Sequence, residues 1–87
     1  MDSQTGLGPY TGADTDRRLR DMNAEDFYHK GNEYFKQENY IEAVDCFTRA
    51  ANQGHVGGQV NLGNCYYFGM GVEADYTEAH RLYIKSA

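Results

Sequence analysis

The sequence has little of what small secreted or membrane proteins depend on. Its 87 residues include no tryptophan, one proline (Pro9) and two cysteines, Cys46 and Cys65. Two cysteines are too few for a disulfide scaffold. No apolar run is long enough to cross a membrane or to serve as a signal peptide. We therefore expect a reduced, cytoplasmic protein with no membrane partner.

Basic residues are also scarce. The chain carries 8 Lys and Arg against 13 Asp and Glu, which gives a net charge of −5. Three of these arginines, Arg17, Arg18 and Arg20, lie among aspartates near the N-terminus and form no basic block. Because nucleic-acid binding depends on a positively charged face, we expect no nucleic-acid partner.

The N-terminal quarter differs in composition from the remainder. Residues 1–23 hold three glycines and the only proline, whereas eleven of the twelve aromatic residues fall in residues 24–87. We predict a flexible tail over 1–23 and one folded domain over 24–87. An alternative for the tail is a helical extension over 16–22 that places Leu19 and Met22 on the domain. A domain of about 60 residues buries only about 60% of its unfolded surface, which excludes a deep substrate cleft.

Two blocks of sequence recur within the folded part. Residues 39–51 align with residues 75–87 at an offset of 36, and residues 31–35 align with residues 63–67 at an offset of 32. The second unit therefore has four extra residues between its blocks, in the stretch 69–74. Because connections tolerate length variation, we interpret each block as a helix and this stretch as a loop.

Capping signals support four helices. An acidic residue follows each of three candidate N-caps by three positions, as in a capping box, in the pairs Asn39/Glu42, Asp75/Glu78 and, more weakly, Asn23/Asp26. Gly54 and Gly69 suit the position just after a helix. The predicted helices span residues 23–37, 40–53, 57–68 and 76–87.

Gly31 and Gly63 occupy equivalent positions inside predicted helices. Glycine in a helix costs about 1 kcal/mol relative to alanine, so a helix crossing with no room for a side chain is expected there. Phe27 and Tyr34 share the face of Gly31 at helical spacing. This pattern predicts an all-α stack of helix hairpins, in which each hairpin buries one face on the next.

The two units resemble known helical repeats. The residues that resemble a tetratricopeptide repeat (TPR) are Phe27, Gly31, Tyr34, Ala43, Phe47 and Ala50. Those that resemble its relative, the Sel-one-like repeat (SLR), are Gly54-His55, Leu62-Gly63, Tyr66, Gly69, Gly71-Val72, Asp75-Tyr76, Ala79, Tyr83 and Ala87. Lys30 stands where TPRs favour leucine, and Gly57-Gly58 where an alanine is common. The resemblance implies a right-handed α-solenoid, with repeat one over 24–56 and a truncated repeat two over 57–87.

The resemblance also implies a function. Such arrays are non-catalytic scaffolds and adaptors that bind a peptide or helix of a protein partner on a concave face, which the first helix of each repeat lines. On this chain that face would carry Tyr28, Asn32, Phe35, Lys36, Val60, Asn61, Asn64 and Tyr67.

Two alternatives to this function remain open. The first is a structural or oligomerisation segment of a longer array. The second is a degenerate form of the carboxylate clamp found in TPR co-chaperones. Asn32 and Asn61 match the clamp asparagines, but Tyr28 replaces the clamp lysine, and a clamp without cations holds a carboxylate poorly.

The sequence predicts no enzyme activity, no metal site and no cofactor. The sequence shows no serine, threonine or cysteine spaced from a histidine in a way that suggests a catalytic nucleophile and its base. His29 and Glu25 are four residues apart, but no third ligand joins them, and the cysteines lack a CxxC motif. Cys46 and Cys65 lie on neighbouring predicted helices. We interpret them as buried thiols, with a disulfide as the alternative.

The second repeat stops early. The position equivalent to Gly54 would be residue 90, and arrays of this kind normally need about three repeats for stability. We therefore expect the chain to be part of a longer array or to pair with another copy through its exposed last helix.

Overall fold

A computed structural model describes residues 22–87. These residues form four helices, α1 (Ala24–Lys36), α2 (Tyr40–Asn52), α3 (Val56–Phe68) and α4 (Tyr76–Ser86), and no strand. The predicted all-α fold of four helices is confirmed, and every helix begins and ends within one residue of its predicted bounds. Leu19 and most of the predicted tail lie outside the described residues.

The helices pack in the order in which they follow one another along the chain. α1 contacts α2, α3 contacts α4, and α2 contacts α3, whereas α1 and α3 touch only slightly. The protein is thus a stack of two helix hairpins, joined where α3 packs on α2. One buried cluster runs through this junction and consists of Ala43, Phe47, Ala51, Leu62, Cys65 and Leu82.

The predicted close crossings at the helix glycines are present. A Cβ at Gly31 would lie 2.6 Å from the ring of Phe47, and a Cβ at Gly63 would lie 2.8 Å from the ring of Tyr83. Each repeat therefore places an aromatic ring of its second helix directly on a glycine of its first helix. The helix-propensity cost of each glycine is offset by this ring packing.

The two glycines that depart from the repeat pattern also lie at close contacts. A Cβ at Gly58 would lie 2.8 Å from the Cβ of Ala50, so α3 begins pressed against α2. A Cβ at Gly57 would lie 2.8 Å from the ring of Tyr28. The alanine that is common at this place in the repeat is therefore sterically excluded at both positions unless a neighbour moves.

The predicted caps are only partly confirmed. Asn23 and Asp26 form a complete capping box, with Asp26 N–H donating to Asn23 Oδ1 at 2.8 Å and Asn23 N–H donating to Asp26 Oδ2 at 3.2 Å. Asp75 Oδ1 accepts from Glu78 N–H at 3.0 Å. The Glu78 carboxylate pairs with Arg81 instead of closing the box.

The predicted capping box at Asn39 and Glu42 is wrong. The Asn39 side chain makes no cap hydrogen bond and donates to Gln37 Oε1 at 3.2 Å. Glu38, just before it, has a φ of 62°, in the left-handed region. Asn39 itself has a ψ of 73°, short of the extended backbone that directs a cap side chain toward the helix.

The two cysteines are free and buried, which supports the thiol interpretation over the disulfide. Cys46 on α2 faces α1, because its Cβ lies 3.2 Å from the place of a Cβ at Gly31. Burial raises the pKa of the Cys65 thiol to about 11. Both side chains therefore act as small apolar groups of the core.

Candidate functional site

Three asparagines from α1 and α3 lie together beside the junction of the repeats, and the side chain of each takes part in a hydrogen bond. Asn61 Nδ2 donates to Asn32 Oδ1 at 3.0 Å, which links α3 to α1 directly. Asn64, one turn further along α3, accepts at Oδ1 from the hydroxyl of Tyr83 at 2.5 Å. The α4 tyrosine therefore holds the third amide in place.

These amides surround a small pocket with an apolar floor. The pocket has a volume of about 130 Å³ and is lined by Asn32, Phe35, Phe47, Asn61 and Asn64. Phe47 is only 1% exposed, so its ring is fixed by the core. The ring of Phe35 meets Tyr40 edge-on at a centroid distance of 5.0 Å. Four of the residues predicted for the binding face thus come together in one place.

The other predicted residues lie at the margins of this pocket or away from it. Lys36 lines an adjoining open depression that also includes Asn32 and Phe35. Tyr67 lies one turn beyond Asn64 on α3 and is half-exposed, with its ring 4.9 Å from Phe68 and 5.1 Å from Tyr76. Val60 is half-buried on α3.

Tyr28 has a structural neighbour that the sequence analysis did not anticipate. Its ring stacks on the imidazole of His55 at a centroid distance of 4.7 Å. His55 is the N-cap of α3, because its Nδ1 accepts from Gly58 N–H at 2.9 Å. Tyr28 therefore packs against the junction between the repeats.

Glu25 connects the same junction to α1. Its two carboxylate oxygens lie 2.6 Å from His55 Nε2 and 2.8 Å from His29 Nε2. Since His55 Nδ1 accepts a hydrogen bond, the proton of the neutral ring is on Nε2 and is donated to Glu25. This hydrogen bond, before all other causes, lowers the pKa of Glu25 below 4.5. The spacing of four residues in the sequence indicates the Glu25–His29 pair. For His55, the sequence shows only that the residue lies just before a predicted helix.

The described residues offer neither a metal site nor a membrane-spanning helix. Within residues 22–87, no group of three or more His, Cys, Asp or Glu side chains is placed to hold a metal ion. Of the four helices described, none combines the length and apolar character needed to cross a membrane. The chemistry available is hydrogen bonding by amides and contact by aromatic rings.

The fold and this surface define an α-helical repeat protein. A comparison with protein families finds the Sel1 repeat twice, over residues 24–55 and 56–87, which together make up more than half of the chain. The chain belongs to the Sel1 repeat family, whose repeats are non-catalytic and mediate protein–protein interactions. Comparisons with curated proteins and with solved structures found no match.

Proposed function

We propose that this protein is a non-catalytic adaptor that binds an extended peptide segment of a partner protein across α1 and α3. The observation that carries the proposal is the pocket in which three amides surround an apolar floor. Its volume of about 130 Å³ is below the range of about 300–1,000 Å³ that is usual for small-molecule sites. A pocket of this size suits one apolar side chain of a bound peptide.

The amides supply the hydrogen-bonding groups that a peptide backbone needs. Among the hydrogen bonds of residues 22–87, the Nδ2 groups of Asn32 and Asn64 donate to no other side chain, and Oδ1 of Asn61 accepts from none. Peptide carbonyls accept from such donors, and peptide N–H groups donate to such an acceptor. This mixture of donors and acceptors matches a backbone better than it matches a lone carboxylate.

The same geometry weighs against the carboxylate-clamp alternative. Tyr28 takes the place of the clamp lysine and stacks on His55, so it brings no cation to the amides. Asn61 uses one of its donors on Asn32. We therefore assign Tyr28 to the junction, and we assign Lys36, Phe35 and Tyr67 to contacts that flank the bound peptide.

A peptide selection on the full chain tests this function. Peptides from a random library that bind the parent protein would be measured against Asn32→Ala, Tyr67→Ala and the matched control Asn52→Ala, an exposed asparagine at the end of α2. We expect about tenfold weaker binding for the first two variants and no change for the control, since loss of one contact to the bound peptide costs roughly 1–2 kcal/mol. Failure to select any peptide, or equal binding by all variants, would contradict the proposal.

A structural role in array formation is the second candidate. Ile84 on α4 is 62% exposed, a large apolar side chain on the last helix of the second repeat. In a helical repeat array each hairpin buries its face on the next one. We propose that a second copy of the chain covers Ile84 if the protein acts in this way. We infer a cytoplasmic location for either role from the two free thiols.

A further inference from the structure

The turn of the first hairpin and the loop of the second meet at one end of the molecule. The end of α1 and the start of α2 lie there, together with the end of α3 and the start of α4. Gly71, in the loop of the second repeat, is packed so closely that a Cβ would clash with the Tyr40 carbonyl and lie 2.9 Å from Val44 Cγ2. The two repeats therefore present one continuous surface at this end.

This end is unusually apolar. Six large hydrophobic side chains stand out as exposed in residues 22–87, and four of them lie on elements that meet at this end: Ile41 (73%), Tyr67 (48%), Phe68 (67%) and Tyr76 (67%). Phe68 and Tyr76 flank the ring of Tyr67 at centroid distances of 4.9 and 5.1 Å. Ile41, on the first repeat, is not part of this ring cluster and lies on the wall of a groove instead. Exposed apolar side chains that line a groove mark interaction surfaces, whereas scattered single ones do not.

A groove at this end combines apolar walls with negative charge. Its open volume is about 610 Å³, and its walls include Tyr40, Ile41 and Val72. Three exposed carboxylates line it, those of Glu38, Glu42 and Glu73, and no lysine or arginine does so. No ion pair between residues of 22–87 involves these carboxylates. A partner that covers the groove must therefore compensate their charge.

We propose that this end docks a cationic segment of another protein, in which apolar side chains alternate with lysine or arginine. The docking surface, which we name the tip surface, consists of Glu38, Ile41, Glu42, Val72 and Glu73, all of which line the groove. An acidic or uncharged segment would leave three carboxylates without compensation as it excluded water from them. A cationic segment places opposite charge against them, which favours association and fixes orientation. The tip surface and the amide pocket are separate sites, and neither proposal rests on the other.

Three synthetic peptides of equal length test the proposal on the full chain. The first alternates lysine with leucine, the second lysine with serine, and the third glutamate with leucine. Affinities would be measured by calorimetry at low salt, and the contact surface would be mapped by backbone amide chemical shifts. We expect the lysine–leucine peptide to bind at least about tenfold more tightly than either of the others, with chemical-shift changes centred on residues 38–42 and 71–73.

Matched pairs of variants separate the tip surface from the general acidity of the chain. Glu38→Gln with Glu73→Gln removes two carboxylates from the groove, and Glu33→Gln with Asp45→Asn removes two from other exposed positions. Likewise, Ile41→Ser is matched by Ile84→Ser. We expect each change in the tip surface to weaken binding about tenfold, which corresponds to about 1.4 kcal/mol of binding free energy. Each control change should weaken binding less than about twofold.

Three results would overturn the proposed docking at the tip surface. The first is a lysine–leucine peptide that does not bind, or binds no better than the lysine–serine peptide. The second is a set of chemical shifts that lie outside the tip surface. The third is an equal loss of affinity from the tip and control variants.

The amide pocket is tested separately. Since Asn32→Ala and Asn64→Ala leave the tip surface intact, their effect on the binding of the selected library peptides reports on the amide pocket alone.

Discussion

Gly31 and Gly63 lie at equivalent places in the two repeats, but the rings that cover them have different surroundings. Phe47, which covers Gly31, is 1% exposed and belongs to the buried cluster. Tyr83, which covers Gly63, is half-buried and has its hydroxyl on Asn64. A ring with solvent on one side can shift to accept a methyl group, and a ring enclosed by the core cannot do so without displacing its neighbours.

Gly31→Ala is therefore expected to destabilise the protein more than Gly63→Ala does. Alanine gains about 1 kcal/mol of helix propensity at either position. At Gly31 the new Cβ lies 2.6 Å from Phe47, and overpacking of this kind costs about 1–3 kcal/mol. Urea unfolding should show a lower free energy of unfolding for Gly31→Ala and a value near that of the parent for Gly63→Ala. A more stable Gly31→Ala would show that the helix crossing has room for a side chain.

At the scale of elements, the start of α3 depends on a contact with α1. His55 caps α3 through Nδ1 and donates through Nε2 to Glu25. The Tyr28 ring stacks on the same imidazole. One side chain thus satisfies a free N–H of α3 and ties the first turn of α3 to α1, the helices that carry Asn61 and Asn32.

This contact predicts a pH dependence of stability with a definite sign. The folded-state pKa of Glu25 is lowered below 4.5, chiefly by the hydrogen bond from His55. The unfolded state therefore takes up the proton first as pH falls, so the Glu25 contribution is complete above pH 4.5 and is lost as pH falls through the folded-state pKa. Glu25→Gln lacks this titration. We expect the stability difference between parent and variant to shrink as the pH falls below 4.5.

Urea unfolding at several pH values measures this effect. Glu33→Gln is the matched control, because Glu33 is an exposed carboxylate on the same helix and forms no ion pair with another residue of 22–87. The stability difference for that control should stay constant over the same range. A Glu25→Gln difference that also stays constant would show that the carboxylate does not hold His55 in solution.

At the scale of the whole molecule, the two repeats share one narrow core. Its buried cluster draws on α2, α3 and α4, and Leu82 is the only α4 residue in it. Ile84, two residues further on, is 62% exposed. Burial of such a side chain stabilises a protein by about 1.5–3 kcal/mol, so a covering copy would add appreciably to a small domain.

Self-association through α4 is therefore expected to depend on Ile84. Sedimentation velocity over a concentration series should show a larger species for the parent chain and a monomer for Ile84→Ser. Ile41→Ser, which removes an equally large exposed side chain from the start of α2 in the first repeat, should associate as the parent does. A strictly monomeric parent at high concentration would reject the structural candidate and leave the adaptor function in place.

The helices and their bounds were determined by the sequence alone. Asn23, Asp75 and Gly69 act within a few residues of their own positions, and the two block offsets record which helices are equivalent. The glycines at the crossings were also readable, because a costly residue at the same place in both repeats needs a packing reason. Features of this kind depend on neighbouring residues, so they can be identified without knowledge of the fold.

Tertiary structure decided which side chains meet. The Asn61–Asn32 and His55–Glu25 hydrogen bonds join residues 29 and 30 positions apart, and their distances depend on how closely α3 approaches α1. The cap at Asn39 failed because the ψ of Asn39 is 73° and not extended, and the preceding Glu38 is left-handed, a conformation that residue type alone does not predict. The acidic groove exists only because Gly71 brings the second loop onto Tyr40. Composition showed that the chain is acidic, but the stacking of the repeats determined where that charge meets apolar surface.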